Sequence, residues 1–261
     1  MTTCTKLATI SIVTTVRNGA ETLRHCLESV AGQTVPIDHI VVDGGSTDGT
    51  LELLRKAQTI SRAAGHNFRW ITGPDQGIYD GMNKGIGLAA GDVIGTLNAD
   101  DFYPTPHVLE KVAAVFDDPA VDACYGDLFF VQEKNSAFRV VRSWRAGACS
   151  LQRFYWGWMP PHPTFFVRRQ VYARHGLYRL DLGTASDYEL MLRFVVNHRI
   201  SIRYIPAVIV HMRAGGVSTR SLKSRWAAHR MDRQAWRANG LTPYPWTVTL
   251  KPLRKVSQWF C

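Results

Sequence analysis

The chain has 261 residues, 46% of them hydrophobic, so it can bury a full core and is not a disordered polypeptide. Its formal net charge of +10 is unevenly distributed. Residues 1–130 carry 9 Lys and Arg against 16 Asp and Glu, whereas residues 131–261 carry 22 against 5. The acidic half suits chemistry that depends on a cation. The basic half, rich in aromatic residues, suits an anionic partner such as phosphate, a membrane surface or nucleic acid.

The five cysteines form an odd set without CxxC spacing, which argues against a zinc cluster and against a disulfide framework. A reducing cytosol is therefore the expected compartment. The sequence shows no secretory signal pattern, and its apolar runs fall short of the roughly 18 to 20 residues that span a bilayer. We expect a cytoplasmic protein, either soluble or peripheral on the inner face of the plasma membrane.

Strands and helices alternate through the first hundred residues. Runs of β-branched and apolar residues predict buried strands, and apolar side chains at a spacing of three or four predict helices. Ser46 is expected to cap the second helix. The alternation favours right-handed βαβ units and a parallel sheet. The predicted strands are 8–16, 37–43, 68–72 and 93–97, and the predicted helices are 23–30, one after Ser46, and 78–90.

The second half has a different pattern. Two segments around a polar turn at 133–136 predict a pair of antiparallel strands, and the region after 218 predicts a basic, partly amphipathic helix that ends at Gly240. Residues 241–246 are the expected joint before the C-terminal tail. The other predicted elements are strands at 123–131, 138–144, 164–167 and 201–211 and helices at 108–116 and 186–197.

Residues 91–104 contain an apolar strand that ends on two adjacent carboxylates, Asp100 and Asp101. The carboxyl ends of the strands face the crevice in which an open α/β sheet binds its ligands. Partly desolvated neighbouring carboxylates are costly unless a cation or a shared proton compensates. Mg²⁺ takes one or two protein carboxylates and completes its shell with phosphate oxygens and water. A metal and diphosphate site is predicted here, with a solvated turn or a helix cap as the alternative.

Three further loops follow predicted strands and should join this motif at one sheet edge. The four motifs read TTVRNGAETL from residue 14, VVDGGSTDGT from 41, GPDQGIYDGMNKGI from 73 and TLNADD from 96. In this order and spacing they resemble the nucleotide-sugar domain of inverting family-2 glycosyltransferases, which have the GT-A fold. The resemblance is close over about the first 105 residues and looser around Phe165 and Asp187.

The resemblance implies an α/β fold with a mainly parallel central sheet, flanking helices, a smaller antiparallel acceptor-side portion and a C-terminal helical extension. Residues 1–217 would form the catalytic domain, with 1–105 binding the nucleotide sugar and 106–217 on the acceptor side, followed by the extension at 218–261. The implied reaction transfers a sugar from a nucleoside diphosphate sugar, with a UDP-sugar favoured, and uses Mn²⁺ or Mg²⁺. The implied acceptor is a glycan or a lipid-linked saccharide in surface polysaccharide or glycolipid biosynthesis.

For the donor, the resemblance places Thr14, Arg17 and Asn18 around the base and ribose. It also implies that Asp43 accepts a hydrogen bond from the ring N–H of a pyrimidine base, as an ionised carboxylate can. The alternative for Asp43 is a capping carboxylate for the helix near Ser46.

The third motif supplies Asp75, Asp80, Asn83 and Lys84 at a helix N-terminus, where backbone donors and a lysine can meet phosphate. The alternative for Lys84 is an exposed helix lysine.

In the fourth motif Asn98 replaces the first Asp of the commoner pattern, so one negative charge is lost. Asp101 is the implied metal ligand, Asp100 contacts the ribose or sugar, and Asn98 is a neutral helper.

On the acceptor side, the segment TASDYELMLRF resembles the family's motif that carries the catalytic base, and it places Asp187 in that role although Ser186 stands where a Glu is usual. The alternative is an Asp that interacts with the helix dipole. His162, between Pro161 and Pro163, borders the implied acceptor site and is as readily structural as catalytic. His211 is a candidate metal or diphosphate contact, although a histidine at a strand end is ordinary.

Two other functions fit parts of the pattern. A sugar nucleotidyltransferase also uses an α/β sheet and a metal, but the GGxGTRLxP-like loop typical of that class does not follow Val16. A basic glycan-binding or nucleic-acid-binding module fits the basic half and leaves the acidic half unexplained, and no nucleic-acid fold signature is present. We therefore expect no nucleic-acid partner.

The C-terminal tail at residues 246–261 mixes aromatic and aliphatic side chains with Lys251, Arg254 and Lys255. This composition is typical of a segment that lies on an anionic membrane. The alternative is a helix that packs on the catalytic domain.

Overall fold

The structure of the chain, a computed structural model, describes residues 8–215, 222–254 and 258. The expected boundary between residues 217 and 218, the start of the basic helix at 218, and most of the tail after 254 lie outside the described residues. The strands are β1 (Ile10–Val16), β2 (Ile37–Asp43), β3 (Asn67–Thr72), β4 (Val93–Thr96), β5 (Ala123–Lys134), β6 (Ala137–Trp144), β7 (Phe166–Arg168) and β8 (Ile202–Arg213).

Helices flank these strands along the whole described chain. Short 3₁₀ turns precede β7 and α7, and a π-helical turn at Leu192–Asn197 continues α7. The α-helices are α1 (Leu23–Ala31), α2 (Thr50–Ala63), α3 (Ile78–Leu88), α4 (Val108–Val115), α5 (Leu151–Tyr155), α6 (Arg169–His175), α7 (Ser186–Met191), α8 (Leu222–Ala238) and α9 (Thr247–Leu253).

The described strands form one mixed sheet in the order β3-β2-β1-β4-β7-β5-β6, with β8 beside β5. The pairs β1–β2, β1–β4, β2–β3 and β5–β8 are parallel, whereas β7 is antiparallel to both β4 and β5. The register pairs Val16 with Asp43 and Asp43 with Thr72, so the first strands end level with one another. The loops that follow them therefore meet at one sheet edge.

Both faces of the sheet are covered by apolar layers. Successive side chains of a strand point to opposite faces, so Val13 and Ile12 of β1 enter different cores. The layer on the side of Val13 includes Tyr188 and Trp236 from the C-terminal half. The layer on the side of Ile12 is formed with α1, α2 and α4. A strand buried on both faces is what the near-continuous apolar run of β1 predicts.

Most elements predicted from the sequence are confirmed, including the parallel β1–β4 unit and the β5–β6 hairpin. The prediction that Ser46 caps α2 is wrong: α2 begins at Thr50, its N-cap is Gly49, and the Ser46 hydroxyl donates to Asp43 instead. The predicted 186–197 helix changes to π-helical geometry after Met191. The sequence analysis missed the short helices α5 and α6.

The hairpin and β8 complete the second half of the sheet. Asn135 and Ser136, both at positive φ, turn β5 into β6. β8 runs parallel to β5, and the backbone of His211 exchanges two hydrogen bonds with Phe102, just after the acidic motif. This pairing attaches the acidic loop to the second half of the sheet. Among the described residues, we find no helix with the length and apolar character to cross a membrane.

Candidate active site

Four loops meet at the carboxyl edge of the parallel strands and form a crevice, which we define by residues 17–22, 44–49, 73–77 and 97–104. The Gly44 N–H donates to the carbonyl of Val16 at 2.8 Å, and the Gly73 N–H donates to the carbonyl of Asp43 at 3.0 Å. These bonds extend the strand pairing into the loops. The loops that border the crevice are thus held in place by the sheet.

The loops approach so closely that glycine is required at two positions. A Cβ on Gly44 would lie 2.5 Å from Oδ2 of Asp75, and a Cβ on Gly81 would lie 2.9 Å from Cγ2 of Thr15. Contacts this short need a neighbour to move. The glycine-rich character of the second and third motifs therefore has a packing cause, and it brings Asp75 against the loop that follows β2.

Asp43 is fully buried, and both of its oxygens accept hydrogen bonds from its own loop and from β3. The Ser46 hydroxyl donates to one oxygen, and the Ser46 N–H and the Thr72 hydroxyl donate to the other at 3.0 and 2.5 Å. The alternative expected for Asp43, a carboxylate that caps the helix near Ser46, does not apply, because α2 begins at Thr50 with Gly49 as its N-cap; Asp43 holds the loop that precedes α2. Within the described structure Oδ1 accepts only the Ser46 hydroxyl, whereas Oδ2 accepts three hydrogen bonds, so Oδ1 retains capacity to accept another.

The first motif divides between core and crevice. Thr14 is fully buried, and its hydroxyl lies 3.0 Å from Nε2 of His39 and 3.7 Å from Sγ of Cys26. The expected role of Thr14 at the base and ribose is therefore wrong, because its side chain points into the core. Arg17 and Asn18 are exposed at the crevice, and Asn18 adopts a positive φ of 51°.

Asn18 joins the first two loops. Its N–H donates to the Ser46 hydroxyl at 2.7 Å, and its side-chain oxygen accepts the Thr47 N–H at 2.8 Å. Asparagine tolerates the left-handed region better than most residues, which suits this turn. Asn18 therefore shapes the loop from which Arg17 projects.

The charged side chains of the third motif form hydrogen bonds or ion pairs within the motif itself. Lys84 donates to the carbonyl of Pro74 and pairs with Asp80, both at 2.9 Å, and Asp80 also accepts the Gln76 N–H at 3.0 Å. The hydrogen bond with Lys84 lowers the pKa of Asp80 below its usual value. Asp75 accepts the Gly77 N–H at 3.0 Å. These contacts hold the turn that starts α3, with the Lys84 ammonium half-exposed beside it.

Asn83 is not at the donor crevice, contrary to expectation. Its amide nitrogen donates to the Tyr178 carbonyl at 2.8 Å, and its oxygen accepts the Tyr178 N–H at 2.9 Å. Both polar atoms of the Asn83 side chain therefore bond to the backbone of one residue, Tyr178, in the second half of the chain. Asn83 connects α3 to the segment that leads into α7.

The acidic motif contains a buried carboxylate with an unused oxygen. Asp101 is fully buried; its Oδ2 accepts the Asn98 amide at 3.0 Å, while Oδ1 has no hydrogen-bond partner among the described residues. Burial, and then the neighbouring Asp100 carboxylate, raise the pKa of Asp101 well above its usual range. Burial also raises the pKa of Asp100, while the positive charge of Arg213 acts in the opposite direction and lowers it.

An unpaired buried carboxylate oxygen next to a second carboxylate is costly in the absence of a positive charge. The oxygens of Asp100 and Asp101 are of the type that Mg²⁺ and Mn²⁺ prefer. The donor set therefore fits a divalent cation that completes its shell with phosphate oxygens and water. Within the described part of the chain, no group of three His, Cys, Asp or Glu side chains is arranged to hold a metal ion.

β8 brings basic and aromatic side chains to this motif. Arg213 pairs with Glu133 at 2.8 Å, and its other terminal nitrogen lies 2.9 Å from Nδ1 of His25. The ring of His211 contacts the rings of Phe102 and Phe129 at centroid distances of 5.4 and 6.1 Å. Burial lowers the pKa of His211, which favours the neutral ring. The backbone of His211 thus adjoins the acidic loop, while its side chain packs against aromatic rings.

Asp187 is half-exposed at the N-terminal end of α7, and Oδ1 accepts the N–H of Tyr188 at 2.7 Å. The Tyr79 hydroxyl, from the turn that starts α3, is hydrogen-bonded to Asp187. Burial and the Asp187 charge raise the pKa of Tyr79. A residue of the donor-side motif and the predicted base are therefore in direct contact.

His162 lies beside the same carboxylate. Its Nε2 is 2.8 Å from the hydroxyl of Tyr178, and its pKa is lowered by burial, against an opposing effect of Asp187. Tyr178 is buried and hydrogen-bonded to Thr96, at the end of the strand that leads into the acidic motif. The polar side chains from Asp187 to Thr96 form one connected group between the acceptor side and the donor crevice.

Three other carboxylates of the second half are engaged elsewhere. Glu189 is buried and forms two 3.0 Å hydrogen bonds with Arg193. Asp181 pairs with Arg179 at 2.6 Å on the surface. Asp232 pairs with Lys251 at 2.8 Å, and not with the neighbouring arginines as its sequence context suggests. Asp187 is thus the one carboxylate of these four without an ion-pair partner in the described structure.

Sequence reasoning did not single out Tyr79, Tyr178 or Arg213. Tyr79 lies inside the motif GPDQGIYDGMNKGI, so its position in that motif was an available signal. Tyr178 and Arg213 reach the site through pairings distant in sequence, which no local pattern displays. Six of the expected residues lie in the crevice, whereas the side chains of Thr14 and Asn83 point away from it. The six are Arg17, Asn18, Asp75, Asn98, Asp100 and Asp101.

Comparison with known proteins agrees with this geometry. The family model "Glycosyl transferase family 2" matches residues 11–176. The chain is 32% identical over 211 residues to a PGL/p-HBAD biosynthesis glycosyltransferase of Mycobacterium tuberculosis, which covers 80% of this chain and 78% of the relative. A weaker similarity, 33% identity over 125 residues, connects it to the glycosyltransferase AglE of Haloferax volcanii and covers 46% of this chain and 40% of AglE.

Two solved structures show the same fold at low sequence identity. The mannosyltransferase PcManGT of Pyrobaculum calidifontis, in complex with GDP-Man and Mn²⁺, has a TM-score of 0.65 at 16% identity and covers 94% of this chain and 68% of that one. The fragment 1–349 of S. aureus TarS, in complex with UDP-GlcNAc, has a TM-score of 0.63 at 15% identity and covers 85% and 65%. At this level of identity the likeness concerns the fold.

Proposed function

The chain belongs to glycosyltransferase family 2 and has a GT-A fold, and we propose that it transfers a sugar with inversion from a nucleoside diphosphate sugar to a hydroxyl of a glycan or lipid-linked saccharide. The observation that carries the proposal is the position of Asp187. This carboxylate has no ion-pair partner among the described residues, lies in the first turn of α7, and contacts Tyr79 of the third motif. A base on the acceptor side of a donor crevice is the arrangement that a single displacement needs.

The donor would bind along the four loops. Arg17 and Lys84 supply positive charge beside the turns at 17–22 and 73–77, where phosphate groups would be stabilised. Asn18 and Asp43 hold the loops that shape the base and ribose pocket. Asp75 and Asp80 brace the start of α3. A UDP-sugar is the favoured donor, since the Asp43 carboxylate would accept a hydrogen bond from the ring N–H of a pyrimidine.

Asp101 would hold a divalent cation, Mn²⁺ or Mg²⁺, through its unpartnered Oδ1, with Asp100 and the neutral Asn98 beside it. When bound, such a cation supplies positive charge to the diphosphate as it departs. The chain's own contribution is to hold two carboxylates together at the crevice and to keep Lys84 near the leaving group. His211 would act as a positioning residue, since its backbone hydrogen bonds with Phe102 hold the acidic loop against β8.

The Asp187 carboxylate would accept the proton of the acceptor hydroxyl as that oxygen attacks the anomeric carbon. A hydroxyl is a poor nucleophile at neutral pH, and a positioned base typically contributes about 10² to 10⁴ in rate. The new bond forms on the face opposite the departing diphosphate, which inverts the anomeric configuration. His162 and Tyr79 flank the carboxylate and would orient it and the acceptor.

The chain then divides, in our proposal, into a nucleotide-sugar half at 1–105, an acceptor half at 106–217 and a basic extension at 218–261. The acceptor belongs to surface polysaccharide or glycolipid biosynthesis. We place the enzyme in the cytoplasm, with the extension in contact with an anionic membrane surface.

Nucleotide binding tests the donor assignment. We would measure thermal unfolding of the full chain with UDP, GDP, dTDP and CMP, each with and without Mn²⁺. A ligand at 100 times its Kd stabilises the folded state by about 2.7 kcal/mol. We expect UDP with Mn²⁺ to give the largest shift, and mass spectrometry of products from UDP-sugars to show transfer to an acceptor. Stabilisation by GDP alone would overturn the UDP assignment while leaving the reaction class intact.

A further inference from the structure

A cluster of large apolar side chains lies exposed where α9 packs on the rest of the molecule. Trp156, Tyr244, Trp246 and Leu253 form this aromatic surface, with Trp156 42%, Trp246 43% and Leu253 61% exposed. The ring centroids of Trp156 and Trp246 are 5.8 Å apart, and those of Tyr244 and Trp246 are 5.3 Å apart. Trp246 and Leu253 are seven residues apart at the two ends of α9, so they share one helix face.

The aromatic surface is firmly attached. The Thr247 hydroxyl donates to the carbonyl of Tyr155 at 2.5 Å, and the Arg254 guanidinium donates to the carbonyl of Trp156 at 2.8 Å. Thr247 and Val248 are buried, and Lys251 pairs with Asp232 of α8. The tail up to residue 254 therefore packs on the domain, as the alternative interpretation held, and still presents tryptophans outward.

A stripe of arginines adjoins this surface. Arg230, Arg233 and Arg237 are exposed on α8 at positions i, i+3 and i+7, which lie on one helix face. Arg233 and Arg237 line a pocket of about 290 Å³ together with Tyr244 and Val248. Asp232, the only acidic residue in the sequence from 218 to 261, is already paired with Lys251. Among the described residues of this segment, the arginine stripe therefore has no carboxylate that is not already paired.

We propose that the aromatic surface and the arginine stripe together dock on an anionic lipid membrane, with the Arg233–Arg237 pocket taking a lipid phosphate. Tryptophan and tyrosine favour the membrane interface because one end of the side chain is apolar and the other is polar. Exposed arginines near an anionic surface add favourable electrostatic energy. An aliphatic side chain as exposed as Leu253 gains from an apolar medium, which neither a nucleic acid nor a soluble glycan provides.

The position of this surface relates it to the acceptor side. α8 packs on α7, where Nε1 of Trp236 donates to the hydroxyl of Tyr188 at 2.9 Å. Tyr188 follows Asp187 directly in the chain. A membrane on this side would lie next to the element that carries the proposed base. The inference rests on and deepens the membrane contact in the proposed function. Its test needs neither donor nor acceptor, so its failure would remove that contact and leave the proposed sugar transfer standing.

The test is sedimentation of the full chain with vesicles of phosphatidylcholine, with and without phosphatidylglycerol, at low and high salt. We expect binding to the anionic vesicles that weakens with salt. Trp156→Ser with Trp246→Ser, and separately Arg233→Gln with Arg237→Gln, should each lower the partition coefficient on the order of tenfold or more. Leu253→Gln, at the most exposed position, provides a third variant if the tryptophan pair fails to fold.

Matched controls lie on α2, outside the surface. Ile60→Ser changes a side chain that is 56% exposed, and Arg55→Gln with Arg62→Gln removes two exposed charges. These variants should bind vesicles like the unaltered chain. Equal losses in the α2 and surface variants would overturn the proposal, as would unaltered binding by the surface variants. A chain that binds oligonucleotides or soluble glycans through these residues, and not vesicles, would also contradict it.

Discussion

At the scale of single residues, the site depends on which carboxylates have partners and which do not. Glu189 is neutralised by Arg193 in the interior, whereas Oδ1 of Asp101 has no hydrogen-bond partner among the described residues and Asp187 accepts bonds from Tyr188 and Tyr79. A buried carboxylate oxygen without a partner is costly, so Asp101 points to a ligand that supplies positive charge, whereas Asp187 is half-exposed and is the proposed base. Asp101 and Asp187 are therefore the residues on which substitution is most informative.

Asp101→Asn should remove the enhancement of UDP binding by Mn²⁺, because a neutral amide is a far weaker ligand than a carboxylate. UDP affinity measured without the metal should change little. Titration calorimetry of UDP with and without Mn²⁺ checks this. Asp118→Asn, on the surface beside Arg203, is the control. Metal-dependent enhancement that persists in Asp101→Asn would remove Asp101 from the metal site.

Tyr79→Phe should lower kcat several-fold and leave UDP affinity nearly unchanged, because it removes one hydrogen bond to Asp187 and keeps the ring packed on Tyr178. Steady-state kinetics and UDP titration separate the two effects. Tyr244→Phe, which alters an exposed tyrosine outside the crevice, should keep full activity. A loss confined to donor affinity would show that Tyr79 serves the donor and not the base.

His39 couples stability to pH. Burial lowers the pKa of His39 to about 3, whereas an unfolded histidine titrates near its usual value of 6.5. The unfolded state therefore binds a proton first, so stability is present above about pH 6.5 and is lost as the pH falls, at about 1.4 kcal/mol per pH unit. His39→Gln should flatten this loss in urea unfolding between pH 6.5 and 4. The exposed His107→Gln variant should keep the slope of the unaltered chain.

At the scale of elements, long-range packing decides where the site residues lie. Thr14 and Thr15 are neighbours on β1, and alternation sends the Thr14 hydroxyl to His39 and places Thr15 against Gly81. The sequence alone could not say which face of β1 would meet the crevice, because β1 is buried on both. For the same reason Asn83 was misplaced, since its partner Tyr178 is 95 residues away.

Gly157→Ala should loosen α9 by roughly 1 to 3 kcal/mol, in the range of a strained or overpacked site. Gly157 has a φ of +75°, and a Cβ there would lie 2.7 Å from the backbone nitrogen of Lys251. Gly65→Ala is the control, because Gly65 shares a positive φ of 81° but has no atom within 4 Å of such a Cβ.

Limited proteolysis and urea unfolding report both variants. Gly157→Ala should expose the C-terminal segment to cleavage and lose more stability than Gly65→Ala. Equal losses in the two variants would show that the backbone angle, and not the contact with α9, sets the requirement for glycine.

At the scale of the whole molecule, the parallel half was predictable and the acceptor half was less so. Strong apolar runs ending in turn residues located β1 to β4, and parallel pairing then required their loops to meet. The strands corresponding to β7 and β8 were predicted, but no local pattern shows that β7 inserts antiparallel between β4 and β5 or that β8 pairs with β5.

Three polar contacts near the site join the two halves, in addition to the β4–β7 pairing and the shared cores. Asn83 binds Tyr178, Tyr79 binds Asp187, and the backbone of Phe102 pairs with His211. Each contact connects a donor-side motif to an element from the second half. The proposed sugar transfer needs this coupling, since the proposed base and the proposed donor site belong to different parts of the chain.

The most direct test of the account is the transfer rate of Asp187→Asn at saturating donor and acceptor, followed by mass spectrometry of the product. The amide keeps the shape of the side chain but not its basicity, so we expect transfer to fall about 10² to 10⁴-fold while UDP affinity stays nearly unchanged. Asp181→Asn, at an exposed carboxylate paired with Arg179, should stay within a few-fold of the unaltered chain. A transfer rate for Asp187→Asn equally close to that of the unaltered chain would contradict the account and direct the search for the base to His162, since Glu189 is held by Arg193.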